Sequence, residues 1–197
     1  MPTSVLILGH SFTKRLQSWC VSNHKINMNL TNDRIQIFWH GIGGAILLPK
    51  DRPKSMHQSS YLVHELDIDI VFLDIGSNDL CNVNVSVDQY ISGLFTFIQS
   101  LMDKGCRKVI VSEILDRHGQ HSFNVKVSKV NSILKLHCSS STNIIFWSHS
   151  RNNFNRRFVS EYVCDDGVHV HHIKGMPRYY MSIRSAILFT ERRLHGH

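Results

Sequence analysis

Apolar residues in this chain gather into short runs separated by stretches of helix length. Val5-Leu6-Ile7-Leu8, Ile35-Gln36-Ile37-Phe38-Trp39 and Ile70-Val71-Phe72-Leu73 are almost uninterrupted apolar runs, the pattern of strands covered on both faces. They predict strands at Ser4–Gly9, Arg34–Trp39 and Asp69–Asp74, with two more at Lys108–Ile114 and Asn143–Trp147. The intervening segments carry helical signals. Phe12–Val21 reads as a helix, Gln58–Leu66 as a short one and Ser122–His137 as an amphipathic one. Ser86 with Gln89 forms a capping box ahead of an apolar stripe at Ile91, Leu94, Phe95, Ile98, Leu101 and Met102, closed by Gly105. Lys174–Arg193 reads as a terminal helix that Pro177 delays or kinks.

Five strands alternating with helices imply βαβ units and hence a parallel sheet with helices on both faces. The expected fold is an α/β, three-layer α/β/α sandwich on a five-stranded flavodoxin-like sheet of order 2-1-3-4-5. In that order the first and third strands are neighbours at the switch point, so residues just beyond their carboxyl ends emerge side by side.

Four polar segments occupy such positions. Gly9-His10-Ser11 follows the first strand, Gly43-Gly44 the second and Gly76-Ser77-Asn78-Asp79 the third, while Asp166-Gly167-Val168-His169 lies near the end. A serine hydroxyl needs a base within hydrogen-bond reach, itself held by a third group. Ser11 is the candidate nucleophile, at the N-terminus of the first helix, where the backbone carries partial positive charge. His169 is the candidate base, with Asp166 three residues earlier as its orienter and the adjacent Asp165 as a competitor. Attack on a carbonyl builds negative charge on oxygen, and donors aimed there are a large catalytic term. The Ser11 N–H, a glycine N–H without a side chain in the way, and the Asn78 amide are candidate donors. Gly44 is preferred, with Gly43 as the alternative. Asp79 is expected to buttress its loop rather than to touch substrate.

The four segments resemble the blocks of the SGNH (GDSL-type) esterase superfamily, over residues 4 to about 190. The resemblance implies an esterase or acyl hydrolase working through an acyl-serine, with Ser11, Gly44, Asn78 and His169 as the four block residues, Asp166 orienting His169, and no cofactor. His10 stands where the family usually has Asp, and Phe12 where it often has Leu. Domains resembling this one also occur in open reading frames of mobile elements. A second expectation is therefore a catalytically weak binding module that contacts nucleic acid through a basic surface.

Composition narrows the choice. With 197 residues and 42% apolar residues, the chain is expected to form one domain over residues 1–197. No apolar stretch approaches the roughly 18 residues needed to span a bilayer, and residues 1–20 lack the features of a secretory signal, so an intracellular, cytoplasmic protein is expected. Five scattered cysteines without a Cys-x-x-Cys pair suggest reduced thiols. The formal charge of +7 favours anionic partners, but the longest basic clusters, Arg156-Arg157 and Arg192-Arg193, are only pairs, so nucleic-acid binding is expected to be weak or absent. His149, His169, His171 and His172 raise a zinc site, yet no carboxylate or cysteine pattern completes one, and no metal is expected. A small-molecule ester is the expected partner; its identity and the oligomeric state are open. Pocket walls are expected from the loops His40–Ser60 and His149–Val163. Trp39, Trp147 and Phe154 are candidate wall residues, although core packing is the commoner fate of Trp.

Overall fold

In the computed structural model, which describes residues 1–149 and 159–196, five parallel strands pair in the order β2-β1-β3-β4-β5, as expected. They are β1 (Thr3–Gly9), β2 (Ile35–Gly41), β3 (Ile70–Asp74), β4 (Lys108–Ser112) and β5 (Ile144–Trp147). Every residue of β1 and of β3 is buried, which is why both read as unbroken apolar runs. The register sets Gly9 opposite both Gly41 and Asp74, so the ends of the three strands nearest the switch point are level.

Alternation along the strands divides the core in two. Leu6, Leu8, Val71, Leu73, Val109 and Val111 face one way, and Val5, Ile7, Ile35, Phe72 and Ile110 the other. The first set packs against α4 (Val87–Met102) and α5 (His121–Ser139) through Leu94, Phe97, Val127 and Leu134. The second packs against α1 (Ser11–Ser22) and α7 (Met176–Leu194) through Leu16, Cys20, Tyr179, Ile183 and Ile187. Each such side chain contributes about 1.5–3 kcal/mol by leaving water. The layers are therefore helix, sheet and helix.

Local signals locate the helices well. The capping box of α4 is complete: Gln89 N–H donates to Ser86 Oγ at 3.1 Å, and Ser86 N–H donates to Gln89 Oε1 at 2.8 Å. The terminal helix starts at Met176 rather than Lys174. Pro177 lies in its first turn, where a missing N–H costs nothing. Shorter elements differ from expectation. The Gln58–Leu66 segment divides into a 3-10 turn at Met56–Ser59 and a single turn, α2, at Leu62–Glu65, and Ser77–Cys81 forms a short helix, α3, where a loop was expected. A further turn, α6 (Val159–Tyr162), precedes the Asp166 loop. All five cysteines are free thiols, and among the described residues no helix is long and apolar enough to cross a membrane.

Candidate active site

The turn from β1 into α1 is held from beneath by β3. His10 N–H donates to the Asp74 carbonyl at 3.1 Å, and Thr13 Oγ1 donates to Asp74 Oδ2 at 3.1 Å. At Gly9 a Cβ would overlap Thr13 Oγ1 and the Asp74 carbonyl, so only glycine lets the two strand ends meet this closely. His10 caps α1: its Nδ1 accepts from Phe12 N–H at 3.4 Å. That bond makes Nε2 the protonated nitrogen, and it points towards Asp74 Oδ1 at 3.8 Å. His10 is 2% exposed, and burial, opposed by the Asp74 charge, pushes its pKa down, which keeps it neutral. The histidine beside Ser11 is thus a buried support of the turn.

Ser11 is the first residue of α1 and is partly exposed. Its Oγ lies 3.1 Å from His169 Nε2, and His169 Nδ1 lies 2.6 Å from Asp166 Oδ2. The Asp166 loop is organised around its own carboxylate: Oδ1 accepts the N–H groups of Val168 and His169, both at 2.9 Å. Against the upward push of its partial burial, the hydrogen bonds from the backbone and side chain of His169 and from Val168 hold the Asp166 carboxyl down at about 2. An ionised Asp166 fixes His169 with the proton on Nδ1, leaving Nε2 to accept from the Ser11 hydroxyl. Asp165 is exposed and makes no side-chain hydrogen bond among the described residues. Phe12 sets its ring edge against both His10, at 4.8 Å, and His169, at 5.7 Å.

The glycine loop after β2 is tethered on both sides of Gly44. Ile42 N–H donates to the Gly9 carbonyl at 2.9 Å, and the Asn78 side-chain amide donates to the Ala45 carbonyl at 2.8 Å. Gly44 has φ +75°, in the left-handed region, and a substituent there would be strained. Gly43 has open space around a Cβ and no such φ. Neither glycine N–H has an acceptor among the described residues. Asp79 stitches the same loop to α3: its Oδ1 accepts the N–H groups of Leu47 and Leu48, both at 2.8 Å. Burial lifts its carboxyl to about 6 despite those two donors, and its Oδ2 has no hydrogen-bond partner among the described residues.

Arg117, a residue that sequence reasoning did not single out, anchors the other side of α3. Its guanidinium donates to Ser77 O at 3.1 Å, to Ser77 Oγ at 3.0 Å and to Cys81 Sγ at 2.9 Å, and stacks 4.5 Å over Phe123. It is 8% exposed. No local signal marks it, since Ser77 lies 40 residues away.

Other candidates fall elsewhere. His149 is fully buried between Ser112 Oγ at 2.9 Å and Ser182 Oγ at 2.8 Å, far into the α7 face of the core. Among the described residues no three His, Cys, Asp or Glu side chains are placed to hold a metal ion. Trp147 is a core residue donating to Ser182 Oγ at 3.1 Å, and Trp39 donates to the Ile26 carbonyl at 3.0 Å. Phe154 and the Arg156-Arg157 pair lie outside the described residues. A groove of about 400 Å³ opens beside Ser11. Among the described residues its walls are one face of α1 and residues from Cys164 to Met176; most of the His149–Val163 loop lies outside the described residues.

No protein-family model matches the sequence, and comparison with curated proteins finds no match. Solved structures do match along nearly the full length. A carbohydrate esterase family 3 protein from Talaromyces cellulolyticus superimposes with a TM-score of 0.68 at 19% identity, covering 96% of this chain and 98% of that one. A Clostridium thermocellum family 3 carbohydrate esterase gives 0.70 at 15% identity, covering 98% and 99%. A member of the lipolytic G-D-S-L family from Veillonella parvula gives 0.68 at 17% identity, covering 95% and 98%. The chain shares the fold of these G-D-S-L-type proteins.

Proposed function

We propose that the chain is a serine esterase of the SGNH type that cleaves carboxylic esters through an acyl-serine. The observation that carries this reading is the relay Asp166–His169–Ser11, with heavy-atom separations of 2.6 and 3.1 Å, at the N-terminus of a helix and on a fold shared with esterases. In this reading His169 Nε2 takes the Ser11 proton as Oγ attacks the ester carbonyl. The carbonyl oxygen becomes an oxyanion received by the N–H groups of Ser11 and Gly44 and by the Asn78 amide. The imidazolium, stabilised by ionised Asp166, returns its proton to the departing alkoxide and leaves an acyl-Ser11. Water then attacks the acyl group with His169 again as base, releasing the acid and restoring the serine. The amide of Asn78 has two hydrogens, so one stays on Ala45 while the other is free for the oxyanion.

The test is a fluorophosphonate probe followed by mass analysis. Labelling at Ser11, abolished by Ser11→Ala and accompanied by loss of para-nitrophenyl acetate hydrolysis, is the expected result. Undiminished turnover in Ser11→Ala would overturn the serine mechanism.

A further inference from the structure

We propose that the groove beside Ser11 binds an extended ester whose non-reacting end carries a phosphate or carboxylate, held by Lys14 and Arg15. The proposal rests on the esterase reading and adds the substrate class. Ser11, Lys14, Arg15, Ser18, Trp19 and Ser22 all line this groove. Their spacing places them on one face of α1. At 1.5 Å per residue, Ser22 lies about 16 Å along the axis from Ser11, so the groove is a track leading away from the nucleophile, longer than an acetyl group needs.

The charge of the track is one-sided. Lys14 and Arg15 are exposed, and neither side chain has a hydrogen-bond or ion-pair partner among the described residues. His172 stands on the facing wall, and among the described residues no Asp or Glu lines the groove. Lys14 also sits at the end of the first turn of α1, where the helix itself disfavours a cation. Its first turn has no acidic residue, and cations near a helix N-terminus oppose the macrodipole. A local preference broken at an exposed position, with no partner among the described residues to compensate, fits a ligand that supplies the missing negative charge. The floor complements this. Trp19 at 6%, Val170 at 2% and Met176 at 2% exposure form an apolar base, suited to the carbon chain of the ester. Lys14 and Arg15 lie about one helical turn from Ser11, close enough for long side chains to reach such an anion while Ser11 addresses the carbonyl.

The experiment compares kcat/KM for matched para-nitrophenyl esters. Mono-para-nitrophenyl adipate is set against its methyl ester, and the ω-phosphooxyhexanoate against the ω-hydroxyhexanoate. In the wild type the anionic member of at least one pair is favoured, and the better pair identifies the anion. That preference falls about 5- to 10-fold in Lys14→Ala or Arg15→Ala, the scale of a charged hydrogen bond partly in water. It survives Lys14→Arg and shrinks as salt is raised from about 0.01 to about 1 M. In parallel, calorimetry follows binding of hexyl phosphate and adipate to wild type and both alanine variants. Hydrolysis of the neutral esters without an anionic preference, or a preference untouched by both alanines, overturns the groove assignment and leaves the esterase reading standing. Absence of all hydrolysis together with Lys14- and Arg15-dependent anion binding overturns the esterase reading and leaves the anion site. Absence of both removes both.

Discussion

The side-chain amide of Asn78 donates to the carbonyl of Ala45 across 2.8 Å, joining the helix after β3 to the residue that follows Gly44. Two oxyanion donors proposed from different loops are thereby mechanically linked, since Gly44 cannot move without pulling on Ala45. Asn78→Ala removes a donor and the tether together. The expected loss is about 100- to 1,000-fold in kcat with little change in KM, because the amide acts mainly on the transition state. A loss confined to KM would show that Asn78 binds substrate in its ground state.

Asp166 and Asp165 should separate cleanly. Asp166 accepts from the His169 ring and from two backbone N–H groups, whereas Asp165 is exposed. Asp166→Asn favours the wrong tautomer of His169 and removes the charge that stabilises its protonated form, a defect of up to about 10,000-fold in kcat by the serine-protease precedent. Asp165→Asn should leave kcat within about twofold, as surface substitutions away from special features do. Steady-state kinetics of both variants checks this, and equal effects would reassign the orienting carboxylate.

Arg117 offers a way to disturb α3 without touching the groove. Removing its guanidinium takes charge-assisted hydrogen bonds from the Ser77 carbonyl and hydroxyl, at a cost of about 1.5–3 kcal/mol. In Arg117→Ala we expect a lower Tm and a fall in kcat that exceeds any change in KM, since Asn78 follows Ser77 directly. Arg117→Lys keeps the charge but not the fork-shaped donor set, so it should recover only part of the turnover. A lower Tm with unchanged kcat would mark Arg117 as a fold anchor alone.

Asp79 makes a prediction about pH and stability. Its carboxyl titrates at about 6 in the fold against an ordinary 3.8, so between these values the folded state binds more protons than the unfolded one. Stability from this group is present below about pH 4 and is lost as pH rises towards 6, by up to about 3 kcal/mol. Asp79→Asn cannot titrate. The difference in unfolding free energy between variant and wild type should therefore grow in the variant's favour from pH 4 to pH 6 and level off above. A pH-independent difference, measured by urea unfolding, would show that the carboxyl is already ionised throughout.

What the sequence determined about this protein is what nearest-neighbour pattern encodes. Strands buried on both faces must be apolar without alternation, so β1 and β3 were visible as runs, and the capping box at Ser86 and Gln89 marked the start of α4. With five strands and helical crossovers, chain direction and sheet order followed, and so did the clustering of segments that end on neighbouring strands. The Asp166 loop was also legible, because a carboxylate three residues before a histidine can serve it through local geometry. The tertiary structure decided the rest. Thr13 meets Asp74 across 61 residues, Arg117 meets Ser77 across 40, and Asp79 meets Leu47 across 32. None of these has a periodic or motif signal, because each exists only after the sheet has brought two strand ends level. Helix propensity alone did not distinguish α3 from a loop, since it is only five residues long and its Ser77 and Asn78 side chains are anchored by Arg117 and the Gly44 loop. The groove was hidden for a related reason. Its wall is the solvent face of α1, and an exposed helix face becomes a binding surface only when another segment, here Val170 to Met176, closes the opposite side.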